Sequence, residues 1–139
     1  MNYTMQILLA ALALVESGGS DIARGKSGEV SRYQIMPYIW GAETKSTQWK
    51  DPEIARIVAE RILSKRIDHF VKKTGRLPDA SQVYALWNKP GAFENAGFNL
   101  HKLGVRTQQR CSRYANAVNK MLSEKESQLA LDKRRVMSQ

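Results

Sequence analysis

Apolar residues recur at helical spacing over much of the chain. The clearest case lies between Asp51 and Lys73, where they return every three or four positions, as on the buried face of an amphipathic helix. Asp51 is a favourable N-cap residue, and Pro52 suits the first position of a helix. Gly75 and Pro78 would then end it. This pattern predicts one long helix from Pro52 to Lys73.

A first helix is predicted over residues 3–17, and it contains an apolar run from Ile7 to Val15. Two glycines, Gly18 and Gly19, would end it. The run resembles the core of a secretory signal, but no basic residue precedes it, and it is shorter than the roughly 20 residues that cross a bilayer. We therefore interpret it as a buried core helix. We expect no transmembrane segment, and any leader to be absent or already removed.

Two more helices are predicted in the second half of the chain. One would be capped by Ser81 and break at residues 88–91, and the other would begin at Thr107 and carry apolar residues to Leu122. The segment between them is rich in Gly and Asn, so it is predicted to be a loop.

Strand signals are few and short. Residues 33–36 precede a proline, which disfavours helix and predicts a short strand or an extended turn. The predicted fold class is therefore mainly α, with at most a small β-element. We expect a single domain over residues 1–122 and a charged, solvated helical tail over residues 123–139.

The net charge of the chain favours negatively charged partners but does not distinguish among them. Twenty-two Lys and Arg residues against 13 Asp and Glu give a net charge of +9, which favours a polyanionic partner such as nucleic acid, an anionic membrane surface or an acidic cell-wall polymer. The basic residues are scattered among acidic ones, and no recognition motif with interleaved aromatic residues is present. A nucleic-acid-binding domain is therefore only a remote alternative.

The residues that commonly hold metals are sparse. Cys111 is the only cysteine, so neither an intramolecular disulfide nor a cysteine-based zinc site is possible. His69 and His101 match no known ligand spacing. We expect no metal and no cofactor, and we interpret both histidines as structural or surface residues.

The first candidate for chemistry is Glu16. It lies at the end of the apolar first helix, directly before Ser17-Gly18-Gly19. Burial against that helix would raise the pKa of the carboxyl group and suit it to donate a proton near neutral pH. The alternative is a solvated helix end without a catalytic role.

Four motifs in order resemble the soluble lytic transglycosylase domain, a relative of the goose-type lysozymes. Glu16-Ser17-Gly18 matches the Glu-Ser-Gly motif of that family, and Gly28 with Gln34-Ile35-Met36-Pro37 is similar to its second motif. Gln34 lies 18 residues after Glu16, the separation expected for the family. Residues 85–91 resemble its Ala-Tyr-Asn-Ala-Gly motif, and residues 114–118 its Tyr-Val-x-x-Val. The resemblance covers residues 3–122 and implies a lysozyme-like helical domain with a substrate cleft.

The resemblance also implies an activity. Glu16 would protonate the glycosidic oxygen of the β-1,4 bond between N-acetylmuramic acid and N-acetylglucosamine in peptidoglycan. It would then accept the proton of the muramyl C6 hydroxyl as a 1,6-anhydro ring closes. With such a substrate, we expect the protein to act as a monomer in the cell envelope or periplasm, or to be secreted.

Further site residues follow from the same resemblance. Gln34 would line the cleft, Asn88 would bind near the cleaved bond, and Tyr114 would form a hydrogen bond towards Glu16. Their structural alternatives are a buried hydrogen-bonding residue, a helix C-cap and a core residue, respectively. The other expected substrate-binding residues are Ser17, Tyr33 and Trp87. Trp40 and Trp49, like Trp87, could stack on sugar rings or belong to the core.

The chain departs from the second motif in a way that leaves the reaction open. Ser31 replaces its second glycine, and Glu29 and Arg32 replace small or apolar residues. If Glu29 faces the cleft, two carboxylates could support ordinary hydrolysis of the glycosidic bond, as in lysozyme- or chitinase-like enzymes. If Glu29 instead pairs with Arg32 on the loop, Glu16 acts alone.

Overall fold

The computed structural model describes residues 3–139. Six α-helices and one short 3-10 turn form this part of the chain. In order they are α1 (Met5–Ser17), α2 (Pro37–Glu43), α3 (Pro52–Thr74), α4 (Ala80–Asn88), α5 (Pro90–Asn95), the 3-10 turn (Leu100–Lys102) and α6 (Val105–Met137). The prediction of a mainly α-helical domain is confirmed.

Local hydrogen bonds determine where the two best-predicted helices begin and end. The side chain of Thr4 accepts from the Ile7 amide at the start of α1, and Gly18 ends the helix in the left-handed conformation at a φ of 65°. Asp51 accepts from the first amides of α3, and Gly75 ends that helix at a φ of 73°. Both glycines adopt a conformation that side chains disfavour.

The later helices differ from the predictions at their ends. Asp79, not Ser81, caps α4, and a reciprocal pair of hydrogen bonds with Gln82 completes a capping box. The predicted loop after α4 contains α5 and the 3-10 turn, because Pro90 is favourable at the first position of a new helix. The last helix begins at Val105 rather than Thr107.

The core forms among α1, α3, α4 and the first half of α6. Helix α6 packs on both α1 and α4, while α3 packs on α1, α2 and α4. Leu12, Tyr84, Tyr114 and Val118 are fully buried there. The apolar run of α1 is thus a core helix, as the sequence indicated. No helix of residues 3–139 is long and apolar enough to cross a bilayer.

The second half of α6 leaves the core. Helix α6 continues without a break to Met137, and every residue from Ser123 onward is exposed. The charged end of the chain is therefore a helical extension in solvent.

The connection between α1 and α2 folds into tight turns instead of a strand. The amide and carbonyl groups of Val30 and Ile35 exchange two hydrogen bonds of 2.9 Å. Between them lies Ser31, which is fully buried and has a φ of 77°, and whose hydroxyl oxygen accepts from the Tyr33 amide. This turn carries Glu29 and Gln34 to the open end of α1.

Candidate active site

A cleft of about 550 Å³ opens at the C-terminal end of α1, and we call it the Glu16 cleft. All six helices and the loop before α2 contribute to its walls. Five of the eight predicted site residues line it: Glu16, Glu29, Gln34, Trp87 and Asn88. The fold thus brings three of the four sequence motifs to one concave surface.

Glu16 is nearly buried at the wall of this cleft, with 8% of its side chain exposed. The Tyr84 hydroxyl donates a hydrogen bond to Oε1, and Arg110 Nη2 lies 3.6 Å from Oε2. Burial raises the pKa of the Glu16 carboxyl above its ordinary value. The Tyr84 hydrogen bond and the Arg110 charge oppose that rise in pKa, and the charge of Glu29 adds to it. Glu16 is therefore suited to hold a proton at higher pH than an exposed carboxyl group.

Tyr84 takes the place that the sequence suggested for Tyr114. The Tyr114 hydroxyl donates to the Leu8 carbonyl oxygen at 2.8 Å, in the middle of the core, so the prediction that it contacts Glu16 is wrong. Its ring packs on that of Tyr84 instead, with centroids 5.4 Å apart. One signal was available in the sequence: Tyr84 precedes Asn88 by one helical turn and so shares its face of α4.

Arg110 was also missed by the sequence analysis. It lies on α6, lines the Glu16 cleft, and places its guanidinium carbon 5.8 Å from the centre of the Tyr84 ring. The Arg110 guanidinium on α6 and the Tyr84 hydroxyl on α4 thus both contact the Glu16 carboxylate. Both interactions favour the charged form of Glu16 and so stabilise its carboxylate.

Glu29 lies in the cleft and does not pair with Arg32. Arg32 forms a bidentate ion pair with Asp21 instead, through Nε–Oδ1 at 2.6 Å and Nη2–Oδ2 at 3.0 Å, so the alternative of a Glu29–Arg32 pair is wrong. Glu29 Oε1 accepts a hydrogen bond of 2.8 Å from the Ser27 amide. Its carboxylate is therefore held in the loop yet faces the same space as Glu16.

Gln34 combines the two roles that the sequence left open. Its Nε2 donates to the carbonyl oxygens of Ala23, at 3.2 Å, and Ser31, at 2.9 Å, which fixes the side chain in the loop. At the same time the residue lines the cleft. Gly25 lies beside it: a Cβ atom there would come within 2.8 Å of Gln34 Oε1 and 2.4 Å of Glu29 Oε2. The absence of a side chain at this position gives both polar groups their room.

Ser17 and Tyr33, which the sequence suggested as substrate-binding residues, do not line the cleft. The Ser17 hydroxyl donates to the Arg32 carbonyl oxygen at 2.7 Å and so ties the end of α1 to the loop. Tyr33 is buried and lines a separate depression beside the start of α1, together with Met5 and Arg56. Ser17 therefore positions the backbone next to Glu16.

The three tryptophans fall into different classes. Trp40 is buried and donates from Nε1 to the Ser46 carbonyl oxygen at 2.7 Å. Trp49 does not line the cleft, and the cationic groups of Arg24 and Lys50 lie 5.1 and 5.4 Å from its ring centre. Only Trp87 lines the cleft, next to Asn88. Asn88 is the last residue of α4, and the C-cap is Lys89, so the alternative that Asn88 is itself the cap is wrong.

No protein-family model, curated protein sequence or solved structure matches the chain. The assignment of a function therefore depends on the sequence motifs and on the arrangement of side chains in the cleft.

Proposed function

We propose that this chain is a peptidoglycan lytic transglycosylase with a lysozyme-like domain. One observation carries the proposal: a nearly buried Glu16 carboxyl group with a raised pKa lies in a cleft that also holds Gln34 and Asn88. These three residues come from separate motifs, and those motifs resemble the same enzyme family. A general acid at the wall of a cleft with polar groups that can bind sugar is the arrangement that glycosidic bond cleavage requires.

The backbone of the loop supports the same proposal. Ser31 stands where the family motif has its second glycine, and its φ of 77° lies in the region that glycine enters without strain. Gln34, the glutamine of that motif, also has a left-handed φ of 53°. The position that holds the second glycine in the motif thus has a backbone conformation that suits glycine, although Ser31 occupies it here.

The proposed reaction needs one residue in two roles. Protonated Glu16 donates its proton to the glycosidic oxygen, and the bond between that oxygen and muramyl C1 breaks. The Tyr84 hydroxyl and the Arg110 guanidinium stabilise the carboxylate that results. The muramyl C6 hydroxyl then attacks C1, and its proton passes to Glu16. The acid is regenerated, no water is consumed, and the product carries a 1,6-anhydro ring.

Mass spectrometry of the fragments released from purified peptidoglycan tests this function. We expect 1,6-anhydromuramic ends from the native chain and at least roughly a hundredfold loss of rate in Glu16→Gln, because the amide has similar shape but cannot donate the proton. Glu124→Gln, an exposed position on the helical extension, is the matched control. Near-native lysis by Glu16→Gln would refute the assignment.

A second candidate function is glycoside hydrolysis that uses Glu16 together with Glu29, on peptidoglycan or on chitin-like chains. The observation that favours it is the position of Glu29 in the same cleft, without Arg32 as an ion-pair partner. A second carboxylate could activate a water molecule or stabilise the developing positive charge on the sugar. Hydrolysis in isotopically labelled water would place the label on a reducing end, whereas anhydro products would contain none.

The proposed substrate also implies where the protein works and what it meets. Peptidoglycan lies outside the cytoplasmic membrane, so we propose that the chain acts in the cell envelope or after secretion, as a monomer on glycan strands. The net charge of +9 fits an anionic polymer of that compartment.

A further inference from the structure

A second arginine, Arg66 on α3, lines the Glu16 cleft on the side of Trp87. Its Nη1 donates to two carbonyl oxygens at the end of α4, those of Leu86 at 3.2 Å and Trp87 at 2.6 Å. Its guanidinium carbon lies 5.7 Å from the centre of the Trp87 ring. These contacts hold the partly buried guanidinium in one place on the cleft wall.

Arg66 carries its positive charge without a carboxylate at close range in the described part of the chain. Within residues 3–139, no carboxylate forms an ion pair with it, whereas Arg110 in the same cleft pairs with Glu16. The charge of Glu43 acts on Arg66 and raises its pKa, but the Glu43 carboxylate is bound by Lys65, with Nζ 2.8 Å from Oε1. Burial lowers the pKa of Arg66, the direction expected for a cation that loses water. The fold therefore keeps, in the cleft that holds Glu16, a positive charge that is bound by backbone carbonyl oxygens and not by a carboxylate.

One edge of this guanidinium remains free for a ligand. In the described part of the chain, Nε and Nη2 of Arg66 have no hydrogen-bond partner, and neither atom is sealed from solvent. The same edge of Arg32 binds both oxygens of Asp21, which shows how it recognises a carboxylate. Two parallel N–H groups match the two oxygens of a carboxylate in distance and direction.

We propose that Arg66 binds a carboxylate of the substrate through its Nε and Nη2 edge and makes the cleft selective for anionic over neutral glycans. This inference rests on the proposed function, because it assigns the ligand chemistry of the same cleft. Two sources in peptidoglycan supply the group: the lactyl carboxylate of muramic acid in strands without peptide, and the carboxylates of the attached peptide. Chitin has neither, so Arg66 would favour wall glycan over chitin.

Binding to a variant that cannot cleave provides the test. In Glu16→Gln, calorimetry measures the affinity for three tetrasaccharides: neutral chitotetraose, a peptide-free muramyl glycan and a peptide-substituted muramyl glycan. Adding Arg66→Met should weaken binding of a carboxylate-bearing glycan by at least about tenfold and leave chitotetraose unchanged. Loss on the peptide-free glycan alone identifies the lactyl carboxylate, and loss on the peptide-substituted glycan alone identifies a carboxylate of the peptide. Loss on both shows that Arg66 binds either carboxylate.

Controls separate this role from a structural one, since Arg66 also holds the end of α4. Arg66→Lys keeps the charge but not the fork, so it should restore part of the affinity for the anionic glycans and keep their sensitivity to salt. Arg61→Met, an exposed position on the same helix, should change nothing. An equal loss on chitotetraose, or no loss on any muramyl glycan, would overturn the inference.

The design also separates this inference from the proposed function. If the native chain releases no fragments from peptidoglycan while Arg66 still discriminates anionic glycans, the enzymatic proposal fails and the binding site stands. If the native chain lyses walls and Arg66→Met binds every glycan normally, only the role of Arg66 is refuted.

Discussion

The Tyr84 hydroxyl donates a hydrogen bond to the carboxyl group of Glu16, although 68 residues separate the two in the chain. Burial of Tyr84 raises the pKa of its phenol, so the group remains a donor throughout the working pH range. A donor to the charged form of an acid lowers the pKa of that acid. Tyr84 therefore limits how far burial can raise the pKa of Glu16, and several consequences can be measured.

Tyr84→Phe should raise the pKa of Glu16, because it removes a hydrogen bond that favours the carboxylate. The limb of the pH profile of kcat/KM on the alkaline side, where the acid loses its proton, should move to higher pH. The maximal rate should fall, since the carboxylate formed in the reaction loses a donor. Initial rates of wall lysis between pH 4 and 9 would show both changes.

Tyr114→Phe is the matched control for this prediction. The substitution removes a buried hydrogen bond to the Leu8 carbonyl oxygen but leaves Glu16 untouched. Unfolding in urea should show that the free energy of unfolding falls by about 1 kcal/mol. The pH profile of kcat/KM should stay unchanged. A shift of the profile in Tyr114→Phe as large as that in Tyr84→Phe would contradict a specific role for Tyr84.

Glu16→Gln should stabilise the protein at neutral pH. The folded-state pKa of Glu16 is raised, so its contribution to stability is fully present below the unfolded pKa and is lost as pH rises through the folded pKa. Glutamine does not ionise, so the variant avoids this loss of folding free energy, which is on the order of 1.4 kcal/mol for each unit of pKa shift. The variant should exceed the native free energy of unfolding at pH 7.5, and the difference should shrink at pH 4. A variant less stable at pH 7.5 would argue that the native carboxylate is stabilised there.

Glu29→Gln should lower the pKa of Glu16, opposite in direction to Tyr84→Phe, because a neighbouring negative charge is removed. The alkaline limb of the pH profile should move to lower pH. Product analysis decides whether Glu29 also takes part in the reaction. An unchanged maximal rate with only anhydro products would leave Glu16 to act alone, whereas the loss of reducing-end products would assign the hydrolytic role to Glu29.

Removal of residues 123–139 should leave a folded domain. Every side chain in this segment is exposed, so the truncation removes little buried apolar surface. The thermal midpoint should change by no more than a few degrees. A chain that ends before Val118 is the control: it also loses this fully buried residue, and its stability should fall sharply. A large drop after the first truncation would mean that the extension packs on the domain.

Much of the secondary structure was decided by short-range sequence. The start of α3 after its N-cap Asp51, and the ends of α1 and α3 before Gly18 and Gly75, depend on capping groups within a few residues. Such signals are local, so they can be interpreted without the fold. The cap of α4 shows the limit, because Asp79 and Ser81 are both good caps, and the reciprocal bond with Gln82 favours Asp79.

The sequence by itself determined the helical class of the chain, the core character of α1 and the location of Glu16 at its end. The tertiary structure alone decided which groups surround Glu16: Tyr84 rather than Tyr114, and Arg110 from a helix distant in sequence. It also decided that Arg32 pairs with Asp21, so that Glu29 is not bound by Arg32. Helix periodicity and capping follow from neighbouring residues, whereas the partners of a buried carboxyl group depend on how helices pack across long stretches of chain. For that reason the acid was visible in the sequence and its surroundings were not.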